Sequence, residues 1–228
     1  MANLQGADSP IAVTVTDTAG NTSTLTKSGL TIATIAPTKP TVLTPISSDT
    51  FINKTEADGG VTITGTSSAD PTHTLSFKIN NEDVDLKSGS GDVDFQAELT
   101  RDGTVWTLKP TLALLQSLRA DGVANTLTVT SEDTAGNKTA SDAASFTVDL
   151  AVPDAPSLTT PDSLSNAYLN SAEATLNSAQ ALTLTGTAEA GAKVALTFTG
   201  PGATSLTLTT QLASGATAWS LPVTRAQL

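Results

Sequence analysis

Cysteine is absent from the 228-residue chain, and histidine occurs once, as His73. The first absence excludes disulfides, thiolate chemistry and Cys-based zinc sites. The second excludes a His-rich metal centre, and any Ser-His-Asp triad would have to run through His73. Its setting, Pro71-Thr72-His73-Thr74-Leu75, reads as the entry to a strand with the imidazole exposed. Aromatic residues make up only 4% of the chain, too few for most sugar- or protein-binding platforms. No apolar run approaches the roughly 20 residues a membrane-spanning helix needs. The opening Met1-Ala2-Asn3-Leu4-Gln5-Gly6 lacks the apolar core of a secretory leader. Two expectations stay open from that: export by another route, or a segment cut from something longer.

Basic residues are scarce as well. There are 11 Lys and Arg against 22 Asp and Glu, a net charge of -11. Such a surface repels phosphate backbones, which argues against a nucleic-acid partner. It suits solubility, salt tolerance and divalent cations. No P-loop, nucleophile elbow or metalloprotease helix occurs, so no enzyme is expected.

What the chain has in plenty is small residues: 42 Thr, 32 Ala and 22 Ser. Thr and Ser are poor helix formers. Thr is at home on a pleated, half-solvated strand surface. Many short strands are therefore expected.

The same blocks recur in the same order. Asp17-Thr18-Ala19-Gly20-Asn21 returns at Asp133-Thr134-Ala135-Gly136-Asn137, an offset of 116. Pro37-Thr38-Lys39-Pro40 returns as Pro153-Asp154-Ala155-Pro156, again at 116. Phe51-Ile52-Asn53-Lys54-Thr55-Glu56-Ala57 matches Tyr168-Leu169-Asn170-Ser171-Ala172-Glu173-Ala174 at 117, a recurrence that gives Phe51 and Tyr168 a structural role. Val61-Thr62-Ile63-Thr64-Gly65-Thr66 matches Leu182-Thr183-Leu184-Thr185-Gly186-Thr187 at 121, and Trp106 matches Trp219 at 113. This is a tandem array of units of about 115 residues, with loop insertions and deletions. One unit is complete, at 37–152. Residues 1–36 are the final strands of a preceding unit, and 153–228 the first part of a following one.

Each unit reads as all-β. Val61-Thr-Ile-Thr, Leu127-Thr-Val-Thr, Leu182-Thr-Leu-Thr and Leu206-Thr-Leu-Thr alternate apolar with Thr, as half-buried strands do. The Asp-Thr-Ala-Gly-Asn blocks sit between strands. Gly supplies positive φ and the Asp bonds its own backbone, so each block is a hairpin turn. About seven short strands per unit predict a two-sheet sandwich. Thr111–Arg119 predicts a short helical crossover closed by Asp121-Gly122. Trp106 and Trp219 recur at one position of the repeat, which favours a core plug over a carbohydrate-stacking platform. The acidic stretch Asn81–Asp94 has no EF-hand spacing and reads as a solvated hairpin.

A strand ending in Val-Thr-Asp-Thr-Ala-Gly-Asn, a linker Asp149-Leu150-Ala151-Val152-Pro153, then Val/Leu-Thr-Ile/Leu-Thr-Gly-Thr and Gly-x-x-x-Trp resembles the bacterial immunoglobulin-like tandem repeats. These occur in giant secreted adhesins and biofilm-associated surface proteins, commonly exported by type I secretion. The resemblance covers nearly the whole chain. It implies an extender segment: Ig-like sandwiches stacked into a rod that holds a distant adhesive tip away from the bacterial cell, outside it. A binding module for carbohydrate or protein is the alternative.

The resemblance also implies structural calcium near domain junctions. Phe146–Pro156 aligns with Leu30–Pro40, and the second linker carries Asp149 and Asp154 where the first has Ala33 and Thr38. Calcium takes six to eight oxygens, several of them carboxylate. Asp149, Asp154 and Glu189, with Asp121 as a fourth ligand, form the candidate Ca2+ cluster at the second junction, set against the plainer reading of scattered solvated acids. No such site is expected at the first.

The frame carries one more expectation. Residues from Val13 to Ile35 correspond to the strands that 153–228 lacks, so one molecule's N-terminal strands would complete the next molecule's C-terminal sandwich, head to tail. A fragment with no such assembly is the plainer outcome. Otherwise the partners are neighbouring Ig-like domains.

Overall fold

The computed structural model describes residues 10–119, 122–159, 181–199, 205–224 and 227. The chain divides into two compact units, Met1–Ala151 and Val152–Leu228.

The first unit opens with a hairpin of β1 (Ile11–Thr16) and β2 (Thr22–Lys27), in register from Ile11 opposite Lys27 to Thr16 opposite Thr22. Its remaining elements are β3 (Thr41–Val42), β4 (Phe51–Asn53), α1 (Lys54–Gly59), β5 (Ile63–Thr66), β6 (Thr74–Ile79), β7 (Glu82–Asp83), β8 (Ala97–Asp102), β9 (Val105–Pro110), α2 (Leu112–Ser117), β10 (Ala124–Glu132), β11 (Lys138–Ala140) and β12 (Ala144–Asp149). They make two sheets. One has the order β3-β5-β9-β8; the other runs β4-β12-β10-β6-β7, with β11 also on β10. Strand β4 lies parallel to β12, and β10 is antiparallel to β6 and β12. One shared core lies between the sheets, built from Ile52, Ile63, Phe77, Trp106, Leu108, Leu127, Val129, Phe146 and Val148. This is an all-β, immunoglobulin-like sandwich.

The alternation explains the packing. On β10, Leu127, Val129 and Ser131 are buried while the residues between them are half-exposed. Trp106 is fully buried and meets Phe77 edge-on, with centroids 5.2 Å apart and planes at 71°. That is a favoured aromatic geometry. Both Trp106 and Trp219 are core residues; neither indole is available to stack on a sugar.

The crossover helix is α2. The Thr111 hydroxyl caps it by accepting the Leu114 N–H at 3.2 Å, and the helix buries Leu114 and Leu115. Helix α1 is an addition to the sequence reading. Asn53 Oδ1 accepts the Glu56 N–H and Glu56 Oε2 accepts the Asn53 N–H, both at 3.0 Å. This reciprocal capping box was legible as Asn-x-x-Glu. In the acidic stretch, β6 and β7 pair across Asn80 and Asn81, whose φ values are +54° and +71°. Asn is among the few residues that tolerate this left-handed turn. The acids are solvated, but Val84 beyond them is buried in the core.

Two expectations need correction. His73 is half-buried rather than exposed: its side chain keeps 16% of its surface, with Nε2 3.5 Å from Asp70 Oδ2. The Arg101 guanidinium causes this by strapping the loop down, donating to the carbonyls of His73 at 2.6 Å and Ser68 at 2.7 Å. Phe51 is exposed, and its neighbour Ile52 fills the core instead. The β-strand alternation puts one of the two on each face. Tyr168, paired with Phe51 by sequence, lies outside the described residues.

The second unit contains β13 (Ala181–Thr187), β14 (Lys193–Thr199), β15 (Ser205–Gln211) and β16 (Ala218–Thr224). β13 pairs with β16 and β14 with β15, both antiparallel. Leu184, Val194, Leu212, Trp219, Leu221 and Val223 form its core. The segment around Ser157 runs along β13, with the N–H groups of Ser157 and Thr159 donating to the carbonyls of Thr187 and Thr185.

Candidate functional site: turns, linkers and carboxylates

The repeated Asp-Thr-Ala-Gly-Asn turn is built twice in the same way. Asp17 Oδ1 accepts the N–H groups of Ala19 and Asn21, at 2.9 and 2.8 Å, and Oδ2 accepts Asn21 Nδ2 at 2.7 Å. Asp133 Oδ1 accepts Ala135 and Asn137 N–H, both at 2.9 Å, and Oδ2 accepts Asn137 Nδ2 at 2.8 Å. Gly20 and Gly136 each take φ +90°, a conformation other L-residues rarely adopt. The Asn137 side chain holds the Asp133 carboxyl below its ordinary value, helped by the backbone N–H groups of Asn137 and Ala135. Asp17 is lowered in the same way, first by the side chain of Asn21 and then by its N–H. Both acids are therefore turn-building residues.

The second copy does one thing more. Asn137 Nδ2 also donates to the carbonyl of Ala33 at 3.0 Å. The turn of the sandwich thus grips the linker that precedes it. The linker is further held by Lys39, whose ammonium lies 2.7 Å from the exposed Asp142 carboxylate. Such an exposed pair is worth at most about 1 kcal/mol. Sequence reading found the turn but not this second bond, because Ala33 carries no side-chain signal.

A buried polar node sits at the far end of α2. Asn125 has no solvent exposure. Its Oδ1 accepts Asn80 Nδ2 at 2.7 Å and the Arg119 N–H at 3.2 Å, while its Nδ2 donates to the Arg119 carbonyl at 2.9 Å. Asn80 Oδ1 in turn accepts the Thr126 N–H at 3.1 Å. Three segments, the Asn80 turn, the exit from α2 at Arg119 and the start of β10, are tied through two amides. Nothing in the sequence marked Asn125, since it interrupts an otherwise apolar-and-Thr strand without any motif.

The candidate calcium ligands are placed as follows. Glu189 stands at the β13–β14 turn, where its carbonyl accepts the Ala192 N–H and Gly191 takes φ +78°. Glu189 Oε2 accepts the backbone N–H of Asp154 at 3.3 Å. The two residues line one pocket of about 150 Å³, together with Pro153, Pro156 and Lys193. Within the second unit, then, Asp154 and Glu189 come together. Asp149 belongs to the end of β12 in the first unit, where its Oδ1 accepts the Ala151 N–H at 3.1 Å. Asp121 lies outside the described residues. Within either unit, no three described His, Asp or Glu residues converge as a metal site. Two carboxylates offer at most four oxygens, fewer than calcium takes.

These features define a tandem array of immunoglobulin-like sandwiches. No family model matches the chain. No curated protein matches it. Among solved structures it is similar to one described as a Ca2+-stabilized adhesin that helps an Antarctic bacterium reach out and bind ice, with 27% identity, 97% of this chain and 49% of that one covered, and a TM-score of 0.39. It is similar to a structure of a 1.5-MDa bacterial ice-binding adhesin concerned with host cell surface retention, with 22% identity, 96% and 64% coverage, and a TM-score of 0.36. An I-band fragment of titin is similar at 11% identity, 83% and 65% coverage, and a TM-score of 0.38. The chain spans 49% and 64% of the two adhesin chains. The assignment of a sandwich rests on the facing sheets and their shared core.

Proposed function

We propose that the chain is a structural extender segment of a bacterial cell-surface adhesin, a run of Ig-like domains outside the cell that spaces a distal adhesive region from its surface. The observation that carries this reading is the grip of Asn137 on Ala33, which fastens a sandwich to the linker ahead of it. A spacer has to transmit force and direction from one domain to the next, and a bond from a preformed turn to the linker does so without further cost in order. The repeated turn and the repeated Trp core support the reading, because a spacer needs many copies of one self-sufficient unit. A direct test is binding to glycan and protein arrays by the 228-residue chain. The extender reading expects no saturable ligand, whereas a binding module would give one.

Calcium stiffening belongs to the same proposal. Asp154 and Glu189 supply part of a ligand set, and the site as read from sequence needs Asp149 to approach a workable oxygen count. Thermal unfolding with millimolar calcium against an EDTA control tests it. A ligand bound only by the folded state raises the midpoint. A rise that is lost in both Asp149→Ala and Glu189→Ala supports the junction site; an unchanged midpoint removes calcium from the account.

A further inference from the structure

The strands through which the chain enters and leaves the complete sandwich run in the same direction. The chain comes in at Pro37, makes β3 and then β4, and leaves from the end of β12. Strand β4 is parallel to β12, with Phe51 beside Thr147, Ile52 beside Val148 and Asn53 beside Asp149. Just ahead of this register, the Thr147 N–H donates to the Thr50 carbonyl at 2.9 Å.

This arrangement decides how an end-to-end pull meets the fold. Tension on the two linkers draws β4 toward its N-terminal end and β12 toward its C-terminal end. For parallel neighbours those are opposite directions along one axis, so the two strands are made to slide past each other. The bonds of a parallel pair are evenly spaced along the strands, and sliding loads them together. Strands drawn apart from one shared end would instead lose their bonds one at a time.

The packing reinforces the pair. Ile52 and Val148 lie side by side in the register and are 0% and 1% exposed, so sliding also drags two apolar side chains out of the core. Asn53 ends β4 and at once caps α1, which anchors the far end of the strand. Thr50 takes φ +75°, a conformation rare for a β-branched residue. The surrounding fold therefore holds a strained residue just where β4 first bonds to the Thr147 N–H, which is where function is to be sought. The other contacts on the loaded path are slighter. Strand β3 is two residues long and pairs with β5 alone, and the Lys39–Asp142 ion pair is exposed.

We propose that the β4–β12 pair is the load-bearing contact of the sandwich, and that the force at which the sandwich opens is set by shear of β4 against β12 and not by overall stability. Forced opening follows the unfolding barrier, which equilibrium stability does not fix. The proposal deepens the spacer reading, and rests on it only for the direction from which load arrives in the natural protein.

The test uses the whole 228-residue chain, whose lack of cysteine lets a pair of engineered thiols define the direction of pulling. Thr38→Cys/Ala151→Cys loads the sandwich end to end. Thr38→Cys/Ala143→Cys places both handles beside the Lys39–Asp142 pair, at one end of the sandwich, so that the strands part bond by bond. Single-molecule pulling is expected to need several-fold more force in the first direction than in the second. In the first direction, Val148→Ala is expected to lower the opening force. Phe77→Leu removes core packing on β6, away from β4 and β12, and is expected to lower the thermal midpoint while leaving that force close to the unsubstituted value. Equal forces in the two directions, or a force that falls with the thermal midpoint whichever strand is altered, overturns the proposal. A ligand found on the glycan or protein arrays would instead overturn the spacer reading and leave the difference between the two directions standing.

Discussion

Gly65 lies directly opposite Trp106 across the β5–β9 pair, and the indole occupies the space a side chain on Gly65 would need. A Cβ there would stand 2.2 Å from Trp106 Cζ2 and 2.0 Å from the Thr41 carbonyl oxygen. The Trp106 Nε1–H donates to the Thr66 carbonyl at 3.2 Å, and the Thr41 and Thr66 hydroxyls bond at 2.7 Å. The second unit repeats the whole device. Gly186 faces Trp219, with a Cβ falling 2.6 Å from Cζ2. Trp219 Nε1 donates to the Thr187 carbonyl at 3.3 Å, and the Ser157 and Thr187 hydroxyls meet at 2.7 Å. The glycine is what lets a strand and the indole share one layer.

Gly65→Ala therefore forces Trp106 or the Thr41 strand to move. Overpacking of this kind costs typically 1–3 kcal/mol, and with backbone on one side and a buried ring on the other we expect at least about 3 kcal/mol. Denaturant unfolding followed through Trp106 in a Trp219→Phe background measures it. A loss below about 1 kcal/mol would mean the clamp is not tight.

Asn125 is the second point of sensitivity. Asn125→Ala leaves Asn80 Nδ2 and the Arg119 N–H and carbonyl without the partner Asn125 gave them. Arg119 is exposed and Asn80 half-buried, so water takes over part of the lost bonding, and a loss of about 1–2 kcal/mol is expected. Hydrogen exchange should also quicken at the Arg119 and Thr126 amides. Unchanged protection there would contradict the node.

Acid should loosen the turn at Asp133. Its carboxyl is held below its ordinary value chiefly by the Asn137 side chain, so folding favours the charged form. The contribution is then fully present above the unfolded-state value and is lost as pH falls through the lower, folded value. Asp133→Ala should lower the unfolding midpoint at pH 7 and flatten its decline below about pH 4. It should also expose the linker near Ala33 to proteases, since Asn137 loses its anchor. An acid profile identical to that of the wild type would show that the turn is held by its backbone alone.

The parts of this structure legible in the sequence are those set by local chemistry and repetition. The Asp17 and Asp133 turns and the Thr alternation follow from φ preferences and period-two burial, which act over a few residues. The parts that were not legible depend on distant neighbours. His73 is drawn inward by Arg101, 28 residues away, and Asn125 is satisfied by Asn80, 45 away. Phe51 carries the repeat pattern yet faces outward, because sequence similarity marks a position and not its face. Ser131 shows the converse. It sits buried where the first repeat has Val15, and its hydroxyl finds no partner among the described residues. Of the candidate cation ligands, Asp149 and Asp154 came from the linker alignment, and the structure sets Glu189 Oε2 against the Asp154 N–H. The rest of that set depends on residues the two units contribute separately.

The central claim is that the repeats are mechanical spacers, and pulling a single chain from both ends tests it most directly. The account predicts a discrete unfolding event for the sandwich of residues 41–149, lengthening the chain by roughly 350 Å as those residues extend, with the event shifted to lower force by Gly65→Ala. A smooth extension with no discrete event, or one indifferent to Gly65→Ala, would contradict it.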